Sequence, residues 1–440
     1  MNASLPIPPE FTESWNRACG AIRDHRPDDA ERAFNAAARA CPEVWIGLGS
    51  SDIEREEYAS AITKFERALK HTTRDKVRAI AINNIGMCME RMGDRAGAFK
   101  KFQTAIEIDK RNLDAMTNMG HCLTWLNKPD EALPWFNRAL IRNPGSNEIK
   151  FSKSMALLLK GDFKEGLDLY EARTGFRLPV NLPHWTTQDI SGKHVMVYCE
   201  QGAGDTIQMS RYLPLMRSMG ARVSLCVQSG LRALFEQWDW LEGIYEPDET
   251  IKINFDFVQR TMSLPRCFNG LIADPAPLHS TSRFITAEPP GFKVGISWGG
   301  SYDHKHDLWR STKLSQWHDL LTVPGVQFYS LQVGPRCSEL EGTSVVDLSP
   351  RLKNYADTAN AIAAMDLVIS VDTSIVHLAG SLGKTVWMLT PFAADWRWGM
   401  DRTDSPWYPS LTLVRQKRDR EWLPVFWNLR NKLTQHTTKP

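Results

Sequence analysis

The chain has no excess of charge of either sign. Among its 440 residues, 53 lysines and arginines oppose 51 aspartates and glutamates, a formal net charge of +2. That balance lacks the basic footprint of a nucleic-acid or anionic-membrane binder, so no nucleic-acid partner is expected. Also missing is any run of some eighteen apolar residues, so no membrane span is expected. The opening MNASLPIPPEF has neither the basic nor the apolar region of an export signal. Cysteine is sparse and unpaired in pattern: Cys19, Cys41, Cys88, Cys122, Cys199, Cys226, Cys267 and Cys337 form no C-x-x-C, and several sit in apolar runs where a thiol acts as a small hydrophobe. Reduced thiols and a cytoplasmic location are expected. No metal site is expected either. The run Asp303, His304, Lys305, His306, Asp307 spaces its histidines i,i+2 in one solvated loop, a poor ligand pattern.

What the chain does have is a repeat. Ala98, Phe102 and Ala105 recur 34 residues on as Ala132, Phe136 and Ala139, and Gly86 recurs as Gly120 by the same step. Ala61, Phe65 and Ala68 carry the same small-large-small pattern, as do Ala30, Phe34 and Ala37, and it fades downstream through Gly166 and Tyr170. Thirty-four is the tetratricopeptide period, in which small residues let the two helices of a unit approach and an aromatic fills the gap between units. Residues 25–172 therefore resemble the tetratricopeptide repeat family, after an N-terminal segment 1–24. Such arrays bind proteins or peptides in a groove lined by the first helix of each unit. Asn84 and Asn118, 34 apart, are placed to stack along that groove, where an amide offers both a donor and an acceptor to an extended peptide. They resemble the asparagine ladder of the O-linked N-acetylglucosamine transferases. A purely structural role for asparagine at this repeat position is the alternative.

After a linker at 173–186 the periodicity changes. HVMVYCE, ARVSLCV and FDFV, then KVGISW, VQFYSLQ, DLVISV, KTVWMLT and LTLVRQ, are apolar, partly β-branched runs separated by helical stretches. This βα alternation predicts parallel sheets. The Pro-rich TAEPPGF divides the region into two Rossmann-like halves, 187–289 and 290–419, with a cleft between them. A closing helix and tail at 420–440 is placed to pack back on the first half.

Ligands of parallel sheets sit at the carboxyl ends of strands, so three loops hold the candidate chemistry. In EQGAGDTIQMSRYL, Gly202 and Gly204 permit a tight turn and Asp205 stands at the strand-to-helix junction, either as a base facing the cleft or as the cap of the helix. The loop WGGSYDHKHDLWRST offers Gly299, Lys305, Arg310 and Ser311. In VDTSIVHLAGSLGK, Asp372, Thr373 and Ser374 open a helix whose free N–H groups suit a diphosphate. Asp372 is then better suited to sugar hydroxyls than to phosphate, unless it is an ordinary N-cap. His377, one turn further, is either a phosphate donor or a packed core histidine. The aromatics Trp396, Trp398, Trp407 and Tyr408 of DWRWGMDRTDSPWYP are read as closing a core edge.

EQGAGDTIQMSRYLPLM, VGISWGG with WRST, YSLQVGP, ISVDTSIVHLAGSLGKTVWMLTP and DWRWGMDRTDSPWYP, in this order, resemble the heptosyltransferase-related glycosyltransferases of family 9, over about 185–432. More closely still they are similar to the bacterial subgroup in which this half follows tetratricopeptide repeats. The resemblance implies a GT-B fold with the nucleotide on the C-terminal domain and the acceptor toward the N-terminal one. By the same resemblance Asp205 is the general base; Asp372, Thr373 and Ser374 meet donor sugar and diphosphate; Gly299, Arg310, Ser311 and Lys305 meet phosphate; and Gln332 lies near the nucleoside. The Q-G-A-G-D loop departs from the more hydrophobic, single-glycine loop of the lipopolysaccharide heptosyltransferases, so heptose is not implied.

The reading that unites these parts is an inverting, metal-independent glycosyltransferase. It takes a nucleotide-sugar co-substrate, requires no further cofactor, and acts on the hydroxyl of a protein or peptide held by the repeats. A glycan or lipid-linked acceptor, and a non-catalytic repeat scaffold with a degenerate transferase half, are the competing readings.

Overall fold

In the computed structural model of the chain, the described residues are 41–174, 182–250, 253–282, 284, 291–302 and 307–437, with ten positions before residue 41 (13, 14, 16, 17, 20, 29, 32, 33, 36 and 37). Ala30, Phe34 and Lys305, and Asp303, His304 and His306 beside it, lie outside the described residues. The chain forms two compact units, Met1–Ala156 and Leu157–Pro440.

From residue 43 the first unit consists of paired helices, α1 (Glu43–Glu54) with α2 (Tyr58–His71), α3 (Asp75–Arg91) with α4 (Arg95–Ile108), and α5 (Leu113–Trp125) with α6 (Pro129–Arg142), and α7 (Asn147–Lys160) begins in it and ends in the second. Turn chemistry sets the boundaries. Asp94 caps α4 by accepting from the Gly97 N–H at 2.8 Å, and Asn112 caps α5 through Ala115 at 2.9 Å. The aromatics of the repeat are fully buried, and each lies on the glycine of its own unit's first helix. A Cβ on Gly49, Gly86 or Gly120 would stand 2.6, 2.7 or 2.6 Å from Phe65, Phe102 or Phe136. The aromatic thus fills the gap within a unit, where the sequence reading put it between units.

In the second unit, α8 (Phe163–Tyr170) precedes two sheets, all of whose paired strands run parallel. The first sheet has the order β3-β2-β1-β4, from β1 (His194–Tyr198), β2 (Arg222–Cys226), β3 (Gly243–Tyr245) and β4 (Phe257–Arg260). The second has the order β10-β9-β8-β5-β6-β7, from β5 (Phe292–Ser297), β6 (Val326–Ser330), β7 (Val346–Asp347), β8 (Leu367–Val371), β9 (Val386–Thr390) and β10 (Leu411–Arg415). Strand order reverses at β1/β4 in one sheet and at β5/β8 in the other. Those are the places where a parallel sheet opens a crevice for ligands.

The closing helix differs from expectation. Val425, Phe426, Leu429 and Leu433 of α12 (Leu423–Thr437) are buried in one cluster with Val294, Ile296, Trp298, Trp317 and Trp387. It therefore packs on the second half, not back on the first. Its apolar stripe meets an equally apolar flank of the second sheet, and Phe426 lies 5.4 Å from Trp317 between ring centroids.

Candidate active site

The three candidate loops follow β1, β5 and β8, the strands that flank the two reversals. The loop after β1 passes through Gln201, held in the left-handed region at φ 61°, into α9 (Ala203–Met209). Asp205 is the third residue of α9, and its Oδ2 accepts from the Gly202 N–H at 2.9 Å. The capping alternative is therefore realised, but it occupies only one oxygen. Oδ1 accepts from Arg397 Nη2 at 2.5 Å, and the side chain keeps 20% of its surface accessible. Burial holds the carboxyl above its ordinary value, against the pull of Arg397 and the Gly202 amide.

Arg397 comes from the short 3-10 turn Trp396–Trp398 and reaches Asp205 from the other half. Its Nη1 donates to Asp395 Oδ1 at 2.8 Å and its Nε to Gln208 Oε1 at 2.6 Å. One buried guanidinium thus fixes two carboxylates and a glutamine of α9.

The start of α11 (Ser374–Ser381) faces α9 closely. A Cβ on Gly204 would stand 2.9 Å from the His377 ring and 3.2 Å from Ser374 Cα, so this position needs glycine for the approach. Thr373 is the N-cap, with extended backbone and no side-chain cap bond; its hydroxyl lies 3.3 Å from Ser370 Oγ instead. Asp372 is not the cap. Its Oδ2 accepts from Trp398 Nε1 at 2.9 Å, while its carbonyl accepts from Arg310 Nη1 at 3.0 Å. Burial, with Asp395 adding repulsion, pushes the Asp372 carboxyl up to about 6. Ser374 Oγ accepts from the hydroxyl of Tyr355, the first residue of α10 (Tyr355–Ala363), at 3.0 Å.

His377 lies 3.1 Å from the Tyr408 hydroxyl through Nδ1 and stacks on Trp398 at 5.5 Å. Burial, with Arg397 and Arg211 nearby, holds the imidazole well below its ordinary value, hence neutral. Its contacts are those of a packed histidine beside the site. Trp396, Trp398, Trp407 and Tyr408 are all buried, so the aromatic-rich segment closes a core and exposes no stacking face.

In the loop after β5, Gly299 and Gly300 lie against guanidinium groups: a Cβ there would meet Arg336 and Arg310, respectively, at 2.4 Å. Ser311 Oγ accepts from the Gly300 N–H at 2.9 Å and donates to Asp307 at 2.5 Å, and Asp307 is also paired with Arg336. Arg310 Nε is buried with no hydrogen-bond partner among the described residues. Gln332 is inside the fold: its Oε1 accepts from Ser297 Oγ, Trp298 N and Gly299 N at 3.2, 3.2 and 3.1 Å. It clamps the W-G-G turn through that carbonyl, while its Nε2 donates to the Val333 carbonyl at 3.3 Å.

The structure thus gathers Asp205, Asp372, Ser374, His377 and Arg310, and adds Arg397, Asp395, Trp398 and Gln208. In the repeats, Asn118 Nδ2 donates to Asn83 Oδ1 at 3.0 Å and Asn83 Nδ2 to Asn84 Oδ1 at 3.2 Å. The buried Asn83, overlooked in the sequence, joins the two expected rungs.

Residues 16–75 and 91–158 match the tetratricopeptide repeat family. The chain is similar to Protein FlbA of Caulobacter vibrioides, 26% identical over 450 residues that cover 91% of this chain and 72% of that one. Among solved structures, it is similar to the glycosyl transferase family 9 protein of Veillonella parvula, at 11% identity and a TM-score of 0.39, covering 52% of this chain and 88% of that one. It is also similar to YrrB, described as a tetratricopeptide protein with an unusual peptide-binding site, at 18% identity and a TM-score of 0.28, covering 37% and 89%. Among the described residues no helix is long and apolar enough to cross a membrane.

Proposed function

We propose that the second unit is an inverting glycosyltransferase that moves a sugar from a nucleotide-sugar donor to an acceptor hydroxyl. One observation carries this reading: the loops after β1, β5 and β8 stand at both strand-order reversals and bring Asp205 to the start of α11. In this reading the acceptor oxygen attacks the anomeric carbon, its proton passes to Asp205, and the bond from that carbon to the diphosphate oxygen breaks on the opposite face. The leaving diphosphate is met by donors already in place, namely the N–H groups at the start of α11, where Thr373 makes no side-chain cap bond, and the Nε of Arg310, which has no partner among the described residues. No metal is required for that neutralisation. Asp372, largely protonated below pH 6, exchanges hydrogen bonds with sugar hydroxyls.

The repeats supply the acceptor, a protein or peptide. In the Asn118–Asn83–Asn84 chain, the Asn84 amide nitrogen and the Asn118 carbonyl oxygen have no hydrogen-bond partner among the described residues. A donor and an acceptor on the first helices of successive units suit an extended backbone.

Thermal unfolding of the full chain against ADP, UDP, GDP, CMP, CDP, dTDP and their sugar conjugates tests the donor side. Ligand at about 100 times its Kd adds about 2.7 kcal/mol, so one base should raise the midpoint selectively. No shift with any of them overturns the transferase reading and favours a scaffold.

A further inference from the structure

The repeat pattern continues into the second unit in altered form. By the step of 34, Ala132, Phe136 and Ala139 become Gly166, Tyr170 and Arg173. The first exchange preserves packing, since a Cβ on Gly166 would come 2.8 Å from Leu158. The other two add polar groups to positions that are apolar in the earlier units, and both new groups are spent on the loop that leads to Asp205.

The Tyr170 hydroxyl accepts from Gln201 Nε2 at 2.7 Å. Arg173 donates to Glu200 through Nε at 2.9 Å and Nη2 at 2.5 Å, and its Nη2 reaches Ser263 Oγ at 2.7 Å. Glu200 Oε1 also accepts from the Met262 N–H at 3.1 Å, beyond the end of β4. Glu171 completes the set, accepting from Arg260 Nη2 at 2.9 Å and Ser263 Oγ at 3.0 Å. Tyr170, Arg173, Glu200 and Ser263 are all buried.

What these bonds hold is a strained turn. Gln201 is a non-glycine residue at φ 61°, a conformation that persists only where its surroundings over-determine it. Gln228 Nε2 contributes from below, donating to the carbonyls of Gln201 and Gly202 at 3.2 and 3.1 Å. Four residues later the same turn presents Asp205. The helix that carries Tyr170 also touches the turn bearing the base's other partner: Phe163 packs edge-on against Trp396 at 6.1 Å, next to Arg397.

We infer that Tyr170 and Arg173, the polar residues of the last repeat-derived helix and its exit, are positioning residues that hold the Glu200–Gly202 turn and thereby aim Asp205. This rests on the reading of Asp205 as the base. The last repeat is then part of the catalytic architecture, and its departure from the repeat pattern is what gives it that role.

The test is Tyr170→Phe in the full chain, which restores the aromatic of the other units and deletes one hydroxyl. A second variant, Arg173→Met with Glu200→Gln, removes the Arg173–Glu200 pair and leaves Glu171, the other partner of Arg173, with Arg260, so no buried charge stands alone. Hydrogen exchange across residues 199–209 should rise about tenfold in each, with the thermal midpoint of Tyr170→Phe close to that of the parent. With whichever nucleotide-sugar of the panel is turned over, kcat should fall about three- to tenfold while KM for the donor stays unchanged. Exchange across 199–209 equal to the parent in both variants overturns the inference. Asp205→Asn separates the two ideas. If it stays active, the base reading falls, and the exchange result still decides whether the turn is held. If it is inactive while both positioning variants match the parent in exchange and kcat, the positioning role falls and the base reading stands.

Discussion

Asp205 and Arg397, 192 residues apart in the chain, are joined by a 2.5 Å hydrogen bond that runs from one parallel-sheet half to the other. Arg397, from the second half, pulls the Asp205 carboxyl toward its charged form against the burial that raises it. The second oxygen of Asp205 is held by the Gly202 N–H at the start of its own helix, so the direction of the carboxylate is set from both sides.

Arg397→Met should leave Asp205 and Asp395 without their shared cation. Losing one member of a buried pair costs about 3–5 kcal/mol, visible as a lowered thermal midpoint. The Asp205 carboxyl, already above its ordinary value, should move higher, so the acid limb of the pH–rate profile shifts to higher pH. Arg397→Lys should recover part of both effects. An unshifted limb in Arg397→Met would separate Arg397 from the ionisation of the base.

Asp372 predicts a trade of stability for function. Its native carboxyl titrates at about 6 against an ordinary 3.8, so between those values the folded state holds more protons than the unfolded. Stability from this group is therefore full below about pH 4 and lost as pH rises toward 6. Asp372→Asn keeps an acceptor for Trp398 and removes the charge. Its thermal midpoint should exceed the parent's at pH 7.5, match it near pH 4, and be accompanied by weaker donor binding. A midpoint difference that does not change with pH would contradict the assignment.

Gly120→Ala should destabilise the repeats by about 1–3 kcal/mol, because the new Cβ would stand 2.6 Å from the buried Phe136 ring. Gly145→Ala, whose nearest neighbour is 4.0 Å away, serves as the control and should change stability by less than about 0.5 kcal/mol. Circular dichroism at thermal and urea unfolding distinguishes them, and equal midpoints would refute the glycine-on-aromatic packing. Adding Phe136→Leu to Gly120→Ala should recover part of the loss.

The repeats were legible because their packing is written in two residue types at one step: a glycine for which no Cβ fits and the aromatic that lies on it. The long buried strands were legible as apolar runs, and so were the loops that follow them. Missed were β3 and β7, three and two residues long, whose partly exposed side chains leave no run to see. The apolar stripe of α12 announced burial, but a stripe carries no information about which surface will cover it. Asp205 and Asp372 stood out as carboxylates at strand ends. Arg397 did not, since it lies among tryptophans, and Asp205 and Gln208 are brought to it only by the meeting of the two halves. Tyr170 looked like a fading repeat residue because it stands 34 residues after Phe136 and is buried like it, and its hydroxyl bond to Gln201 gives it a second task.

The most direct test of the account is transfer by Asp205→Asn at saturating donor. The asparagine keeps the shape of the side chain and one of its two acceptor positions, and Arg397 keeps Asp395 as a partner, so donor binding is the control and should give the same ligand-induced thermal shift as the parent. The account predicts a fall in transfer of about 10²–10⁴-fold, the usual contribution of a general base. Transfer within about threefold of the parent, with donor binding unchanged, would contradict it.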